Sequence, residues 1–251
     1  LVDKILADNQ VVTQDSGLYN ENGEYFFKGK VTNNYVAYGS YVVKDETTPF
    51  LWRIVSIKDG QIKLKAINHT GKKVKWDSRY NAVIDREFGY NDFDYSEMKE
   101  ALKDLEKTFN HRYENPQLDL SKLVATNLCI GKRELEDPIS KGNLECNTLS
   151  KDKFFFGTIT PYEYMRASTD KDCVVATSKA CQNYNYLLYT DSEWTITTVA
   201  SDNYNVFAFD TDEFELYRAS ISKPIYPTII LNEYAYYKGG NGTIDEPYIV
   251  K

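Results

Sequence analysis

The chain has 251 residues, 42% of them hydrophobic and 27% charged, and a formal net charge of −7. That length holds one large domain or two small ones, and it buries enough surface to fold without a structural metal. The composition excludes a disordered chain, and no apolar run approaches the roughly 20 residues that span a bilayer.

In chain order, Leu1–Asp8 reads as a short amphipathic helix with Leu1, Ile5 and Leu6 on one side, and Asp15–Gly23 as a turn-rich linker. Strand-like runs follow at Tyr25-Phe26-Phe27 and Tyr35-Val36-Ala37-Tyr38. The clearest local signal is a hairpin: two apolar runs, Leu51–Ile57 and Gln61–Ile67, flank Asp59-Gly60. Ile62, Leu64 and Ala66 alternate with Lys63 and Lys65, and Asp-Gly accepts the positive φ of a tight turn. The best helix spans about Tyr95–Phe109, with Met98, Ala101, Leu102, Leu105 and Phe109 on one face and Asp94 as its cap. Its opposite charges read as a solvated face. Leu120–Ile130 reads as packed and Lys132–Leu149 as a charged loop. Phe154–Gly157 reads as a strand and Pro161–Ala167 as a short helix capped by Thr160. Trp194–Val199, Asn205–Phe209, Phe214–Arg218 and Thr228–Leu231 read as strands, and Gly239–Thr243 as a tight loop before Tyr248-Ile249-Val250. No internal repeat is visible.

Four cysteines, Cys129, Cys146, Cys173 and Cys181, lie in the second half. They form no C-x-x-C pair, and the two histidines, His69 and His111, are distant in sequence. This argues against zinc and against a thiol nucleophile, and for two disulfides in an oxidising compartment. Of three possible pairings, Cys129–Cys146 with Cys173–Cys181 is favoured because each closes a short loop, adding about 2–4 kcal/mol apiece.

The acidic balance argues against nucleic acid as a partner. The basic stretch Lys72, Lys73 and Lys75 beside Trp76 reads as a solvated strand face. Tyrosine is abundant, 21 residues against 12 Phe and 3 Trp. The ring supplies rigid contact area with a polar tip, as a recognition surface requires, although a biased base composition gives the same excess. Leu1, in place of an initiator Met, reads as the start of a trimmed or mature extracellular region whose targeting segment lies upstream. P-loop, dinucleotide, H-E-x-x-H and G-x-S-x-G patterns are absent, so no cofactor and no catalytic residue is expected. Asp210, Asp212, Glu213 and Glu215 cluster, and Asp191 and Glu193 precede Trp194. Without calcium-loop spacing, they read as acidic turns and not as a metal site.

Several segments together carry a resemblance. They are Tyr25–Val36, Trp52-Arg53-Ile54-Val55, the Ser96–Phe109 helix, Gly157–Tyr164, Glu193–Thr197, and Gly239–Thr243 with Pro247-Tyr248-Ile249. From about Tyr25 onward the chain resembles an uncharacterised domain of surface proteins in low-GC Gram-positive bacteria. That domain is related to the C-type-lectin-like fold of formylglycine-generating enzymes and often follows a pilin-like leader or membrane anchor. The resemblance implies an α+β, C-type-lectin-like domain over residues 25–251, with antiparallel hairpins, one defined amphipathic helix and long disulfide-closed loops. Residues 1–24 then form an N-terminal helix and linker. Two departures limit it. Lys223-Pro224-Ile225 stands where the family has arginine-proline-valine, and the lectin calcium triplets are missing, with Glu246-Pro247 followed by Tyr248. Calcium-dependent sugar binding and oxidase chemistry therefore do not carry over.

The expected function is a non-enzymatic module, extracellular and attached to the cell surface by an upstream anchor, for adhesion to a glycan or protein. The first alternative is a pilin-like subunit that assembles with copies of itself into a fibre. The second is a cell-wall glycoside hydrolase acting through Asp210 and Glu213. The aromatics chosen for ligand binding are Tyr189, Trp194, Tyr204 and Tyr217, with Trp194 and Trp52 also fitting core positions.

Overall fold

The computed structural model describes residues 1–188, 192–210 and 213–251, with Glu213 described by its backbone alone. α1 (Val2–Asp8) buries Ile5 and brings Asp8 and Asn9 to the Tyr248 hydroxyl. That phenol donates to Asp8 Oδ2 at 3.0 Å and accepts from Asn9 Nδ2 at 3.2 Å. The segment expected as a linker is instead a strand. β1 (Gly17–Glu21) pairs antiparallel with β2 (Glu24–Lys28) across Asn22-Gly23, whose φ angles are 52° and 83°. Asn-Gly tolerates this geometry, and the resulting turn matches the strand twist. The expected boundary at residue 24 thus falls inside a hairpin, and Leu18 shares one apolar core with Phe27.

The same device recurs twice. β3 (Tyr35–Val43) turns through Lys44-Asp45 into β4 (Glu46–Lys58), and β4 turns through Asp59-Gly60 into β5 (Gln61–Ala66). All four loop residues have positive φ. β4 is the hub of the large sheet. One edge carries β3 and then β2, and the other carries β5.

β6 (Lys73–Lys75) precedes α2 (Glu97–Asp104). Ser96, not Asp94, caps α2, its hydroxyl accepting from the Lys99 N–H at 3.1 Å. Glu97 turns away to accept from the Ser78 N–H at 3.0 Å. The helix ends at Asp104, and the chain bends so that Phe109 stacks against Trp52 at 5.5 Å and Phe156 at 5.6 Å. Its charged face is also partly engaged: Lys99 and Lys103 both reach Asp152 Oδ2, at 2.9 and 3.1 Å.

β7 (Glu114–Gln117) lies against β3. β8 (Thr126–Cys129), β9 (Lys132–Arg133) and β10 (Leu149–Phe154) follow, β8 pairing with β10. The disulfides are Cys129–Cys146 and Cys173–Cys181, with sequence separations of 17 and 8. This is the short-loop pairing that spacing favoured. The expected charged loop is anchored from within. Arg133 and Glu145 are fully buried, joined Nε to Oε1 at 2.9 Å and Nη2 to Oε2 at 3.1 Å. The guanidinium also donates to the carbonyls of Asp137 at 3.1 Å and Gly142 at 2.7 Å.

α3 (Pro161–Arg166) opens on a capping box. Thr160 Oγ1 accepts from the Glu163 N–H at 3.2 Å, and Glu163 Oε2 accepts from the Thr160 N–H at 2.9 Å. β11 (Ser192–Val199), β12 (Asn205–Asp210) and β13 (Glu213–Arg218) form an antiparallel meander, with β9 parallel to β11 at its far edge. β14 (Ser222–Pro224) pairs with β6, and β15 (Thr228–Leu231) with β5. β16 (Tyr237–Gly239) and β17 (Tyr248–Val250) pair antiparallel, and β17 lies parallel to β3. This leaves β16 at the sheet edge. The architecture is mixed α and β with strands predominating.

All three tryptophans are core residues. Each indole N–H finds a backbone carbonyl: Trp52 that of Tyr38 at 2.9 Å, Trp76 that of Thr195 at 3.0 Å, Trp194 that of Val74 at 2.8 Å. The last two stitch β6 to β11, so the polar tip of each ring costs nothing on burial.

Candidate recognition surface

Among the described residues, those chosen from sequence do not form an open site. Tyr189 lies outside the described residues. Trp194 is only 1% exposed, which removes it as a ligand contact and makes it a core residue of β11. Tyr204 is half-buried against Phe88, with ring centroids 5.4 Å apart. Tyr217 donates to Glu215 Oε2 at 2.9 Å, and its ring faces Lys223 Nζ at 3.7 Å. Burial first, and then Glu215 and Asp210, push the Tyr217 phenol above its ordinary pKa.

The acidic cluster is engaged by the protein. Asp210 Oδ2 lies 2.6 Å from Lys223 Nζ, which also donates to Ser192 Oγ at 3.0 Å. Glu193 sits 2.9 Å from Lys65, both inaccessible to solvent. Burial raises the Glu193 pKa and lowers that of Lys65, while the charge of each opposes the shift of the other. Asp191 and Asp212 lie outside the described residues, and the Glu213 side chain is not among them. Among the described residues, no group of three His, Cys, Asp or Glu could hold a metal ion.

Arg53 lines a cavity of about 380 Å³ together with Lys30, Tyr35, Tyr186 and Ile244. The guanidinium carbon lies 4.0 Å from the Tyr35 ring and 5.1 Å from the Tyr186 ring. Its N–H groups reach Asn34 Oδ1 at 2.5 Å, the Tyr35 hydroxyl at 2.8 Å and the Val31 carbonyl at 2.7 Å. This arginine ties β4 to the start of β3 and to the connection that precedes it, which is an internal task.

The open surface lies elsewhere, between β15 and β16. Tyr234, Tyr236 and Tyr237 are 60%, 64% and 36% exposed, whereas Ala235 between them is buried. Ala235 holds the segment down, and its neighbours then point outward. Asn232 fixes the entry: its Oδ1 accepts from the Tyr234 N–H at 3.0 Å, and its Nδ2 donates to the Ser121 carbonyl at 3.0 Å. Tyr236 and Lys251 exchange two backbone hydrogen bonds, both 3.1 Å. Tyr237 donates to the Gly240 carbonyl at 2.8 Å. Cations ring the patch. Lys122 Nζ sits 5.4 Å from the Tyr236 ring centre, and Lys4 Nζ 5.9 Å from that of Tyr237. The Lys251 ammonium beside Lys238 pulls the Lys238 pKa down. Exposed Ile249 lies opposite Gly239 on β17. Sequence reasoning missed these residues, although the run Tyr234-Ala235-Tyr236-Tyr237-Lys238 is a visible local excess of tyrosine.

No family model, no curated protein and no solved structure matches this chain. The two disulfides fit a compartment outside a reducing cytosol, and among the described residues no helix is long and apolar enough to cross a membrane.

Proposed function

We propose that this chain is a non-enzymatic recognition module of a bacterial surface protein, and that Tyr234, Tyr236 and Tyr237 meet a glycan. The exposure of three tyrosines on one short segment carries this reading. A tyrosine offers a sugar both an apolar face and a hydroxyl. The C-type-lectin-like relationship belongs to the same reading. It is supported by hairpins around one sheet, by disulfide-closed loops, and by both chain ends meeting at Tyr248. Attachment to the cell surface is part of the same proposal, and the two disulfides are compatible with it.

The test is a glycan array read by fluorescence, followed by titration of any hit. Tyr236→Ala with Tyr237→Ala is expected to weaken binding at least about tenfold, or about 1.4 kcal/mol. A blank array, or a hit indifferent to both substitutions, overturns the reading.

A second reading, assembly with copies of the chain, is favoured by the position of β16 at the sheet edge, where a further strand can pair. Sedimentation across a wide concentration range separates the two, since only assembly makes the mass depend on protein concentration.

A further inference from the structure

The loop closed by Cys129–Cys146, the end of β11 and the segment before α2 leave a cavity of about 520 Å³ between them. Tyr90, Phe93 and Ile130 supply its apolar lining. Asp92, Lys132, Thr148, Thr198 and Asn203 bring hydrogen-bonding groups to it.

The walls are fixed from behind. Asn91, 4% exposed, ties the segment before α2 to the turn after β11. Its N–H donates to the Asn203 carbonyl at 2.8 Å, and its Nδ2 to the carbonyls of Asp202 at 3.1 Å and Asn205 at 2.9 Å. On the other side the Ile130 N–H donates to the Thr148 carbonyl at 2.9 Å, and the Gly131 N–H to the Glu145 carbonyl at 2.6 Å. A Cβ on Gly131 would stand 2.6 Å from the Leu144 oxygen and 2.7 Å from that of Glu145, so only glycine lets the loop fold back this closely.

Strand geometry sets the direction of two lining residues. β9 runs parallel to β11, with Thr198 beside Lys132 and Val199 beside Arg133. Val199 and Arg133 are buried in the interior. Successive side chains alternate between faces, so Thr198 and Lys132 share the other face, where the cavity lies.

These polar groups are not spent on the protein. Thr198 is 3% exposed, yet its hydroxyl has no hydrogen-bond partner among the described residues. The Asp92 carboxylate and the Thr148 hydroxyl have none there either. The Lys132 ammonium reaches Asn91 Oδ1 at 3.5 Å and forms no ion pair among the described residues. Asn203 Oδ1 accepts from Asn81 at 3.1 Å, which leaves its Nδ2 as a donor. A buried hydroxyl without a partner costs free energy, so Thr198 marks a place where a guest can supply the missing bond.

We infer that this cavity binds one neutral pyranose unit, with Asp92, Lys132 and Thr198 taking its hydroxyls and Tyr90 and Ile130 its C–H surface. The charged lining is one carboxylate and one ammonium, which cancel, so neither an anion nor a cation is favoured. A sugar hydroxyl both donates and accepts, which suits an acceptor, a donor and a hydroxyl set around one space. A volume of this order holds a single ring and part of a neighbour. The inference extends recognition to a second place and does not rest on the tyrosine edge, none of whose tyrosines lines the cavity.

The experiment is saturation-transfer NMR on the intact chain with the methyl glycosides of glucose, galactose, mannose and N-acetylglucosamine, and with leucine as a zwitterion of similar size. At least one glycoside is expected to bind saturably below about 20 mM. Thr198→Val keeps the shape and removes the hydroxyl, and Asp92→Asn, at an exposed position, removes the charge. Each is expected to weaken that glycoside at least about tenfold with the unfolding midpoint little changed. Tyr236→Ala with Tyr237→Ala is expected to leave it unchanged. A glycoside lost with the tyrosines but kept in Thr198→Val and Asp92→Asn belongs to the edge and overturns the cavity. A blank glycan array beside a glycoside lost in Asp92→Asn overturns the edge and upholds the cavity. Silence of every glycoside at about 20 mM, or leucine bound in their place, also overturns the inference.

Discussion

The β4–β5 hairpin and the loop closed by Cys129–Cys146 solve the same problem, fixing a chain reversal, by opposite means. The hairpin is local. Alternating Ile62 and Leu64 face the core, Asp59-Gly60 supplies two positive φ angles, and strand partners lie a few residues apart. The loop has a covalent clasp at its ends and a fully buried Arg133–Glu145 pair at its centre. Where apolar alternation is available, the core orders the chain. Where a segment is mostly polar, it is ordered by saturating one buried cation, and its position depends on groups that have no meaning until the loop is closed.

This comparison can be broken at three points. The largest effect is expected from Glu145→Ala, which leaves the Arg133 guanidinium in the interior with only the carbonyls of Asp137 and Gly142. It is expected to cost about 3–5 kcal/mol in urea unfolding under non-reducing conditions, while Arg133→Met with Glu145→Leu together costs much less. A double variant as unstable as the single one would show that the charges themselves are required. Next, Cys129→Ser with Cys146→Ser frees a loop of 17 residues, and the loop-closure estimate gives a loss of about 3 kcal/mol in the same assay. No change would show that the ion pair closes the loop by itself. The smallest effect is expected at the hairpin. Gly60→Ala meets only the Glu233 Cβ, at an unstrained 4.0 Å, but must hold a φ of +76°, which costs about 1 kcal/mol. A loss of several kcal/mol there would mean that the hairpin, too, depends on more than its own sequence.

The tyrosine edge divides in a similar way. Tyr234, Tyr236 and Tyr237 are contiguous, and their crowding is written in the sequence. Their exposure was not legible, because it turns on Ala235 and Asn232 being drawn inward by contacts with residues remote in sequence. The pocket between β6 and the end of α2 was less legible still: Lys72, Lys73 and Lys75 stood out only as a basic run, and nothing near Lys72 announced His111 or Ile225, which line the same pocket.

The amino-acid sequence by itself determined the hairpin at Asp59-Gly60, the Thr160 cap of α3, the strands of the meander and both disulfide pairings. Each of these rests on interactions between residues close in the chain, where spacing and local conformational preference decide. It also held the Asn22-Gly23 turn, a local signal that the turn-rich reading of Asp15–Gly23 concealed. Only the tertiary structure decided that Trp194 is core, that Glu145 is buried and that β16 is an edge. Burial and charge pairing depend on what the rest of the chain brings alongside, and no periodicity in a single strand or loop records its neighbours.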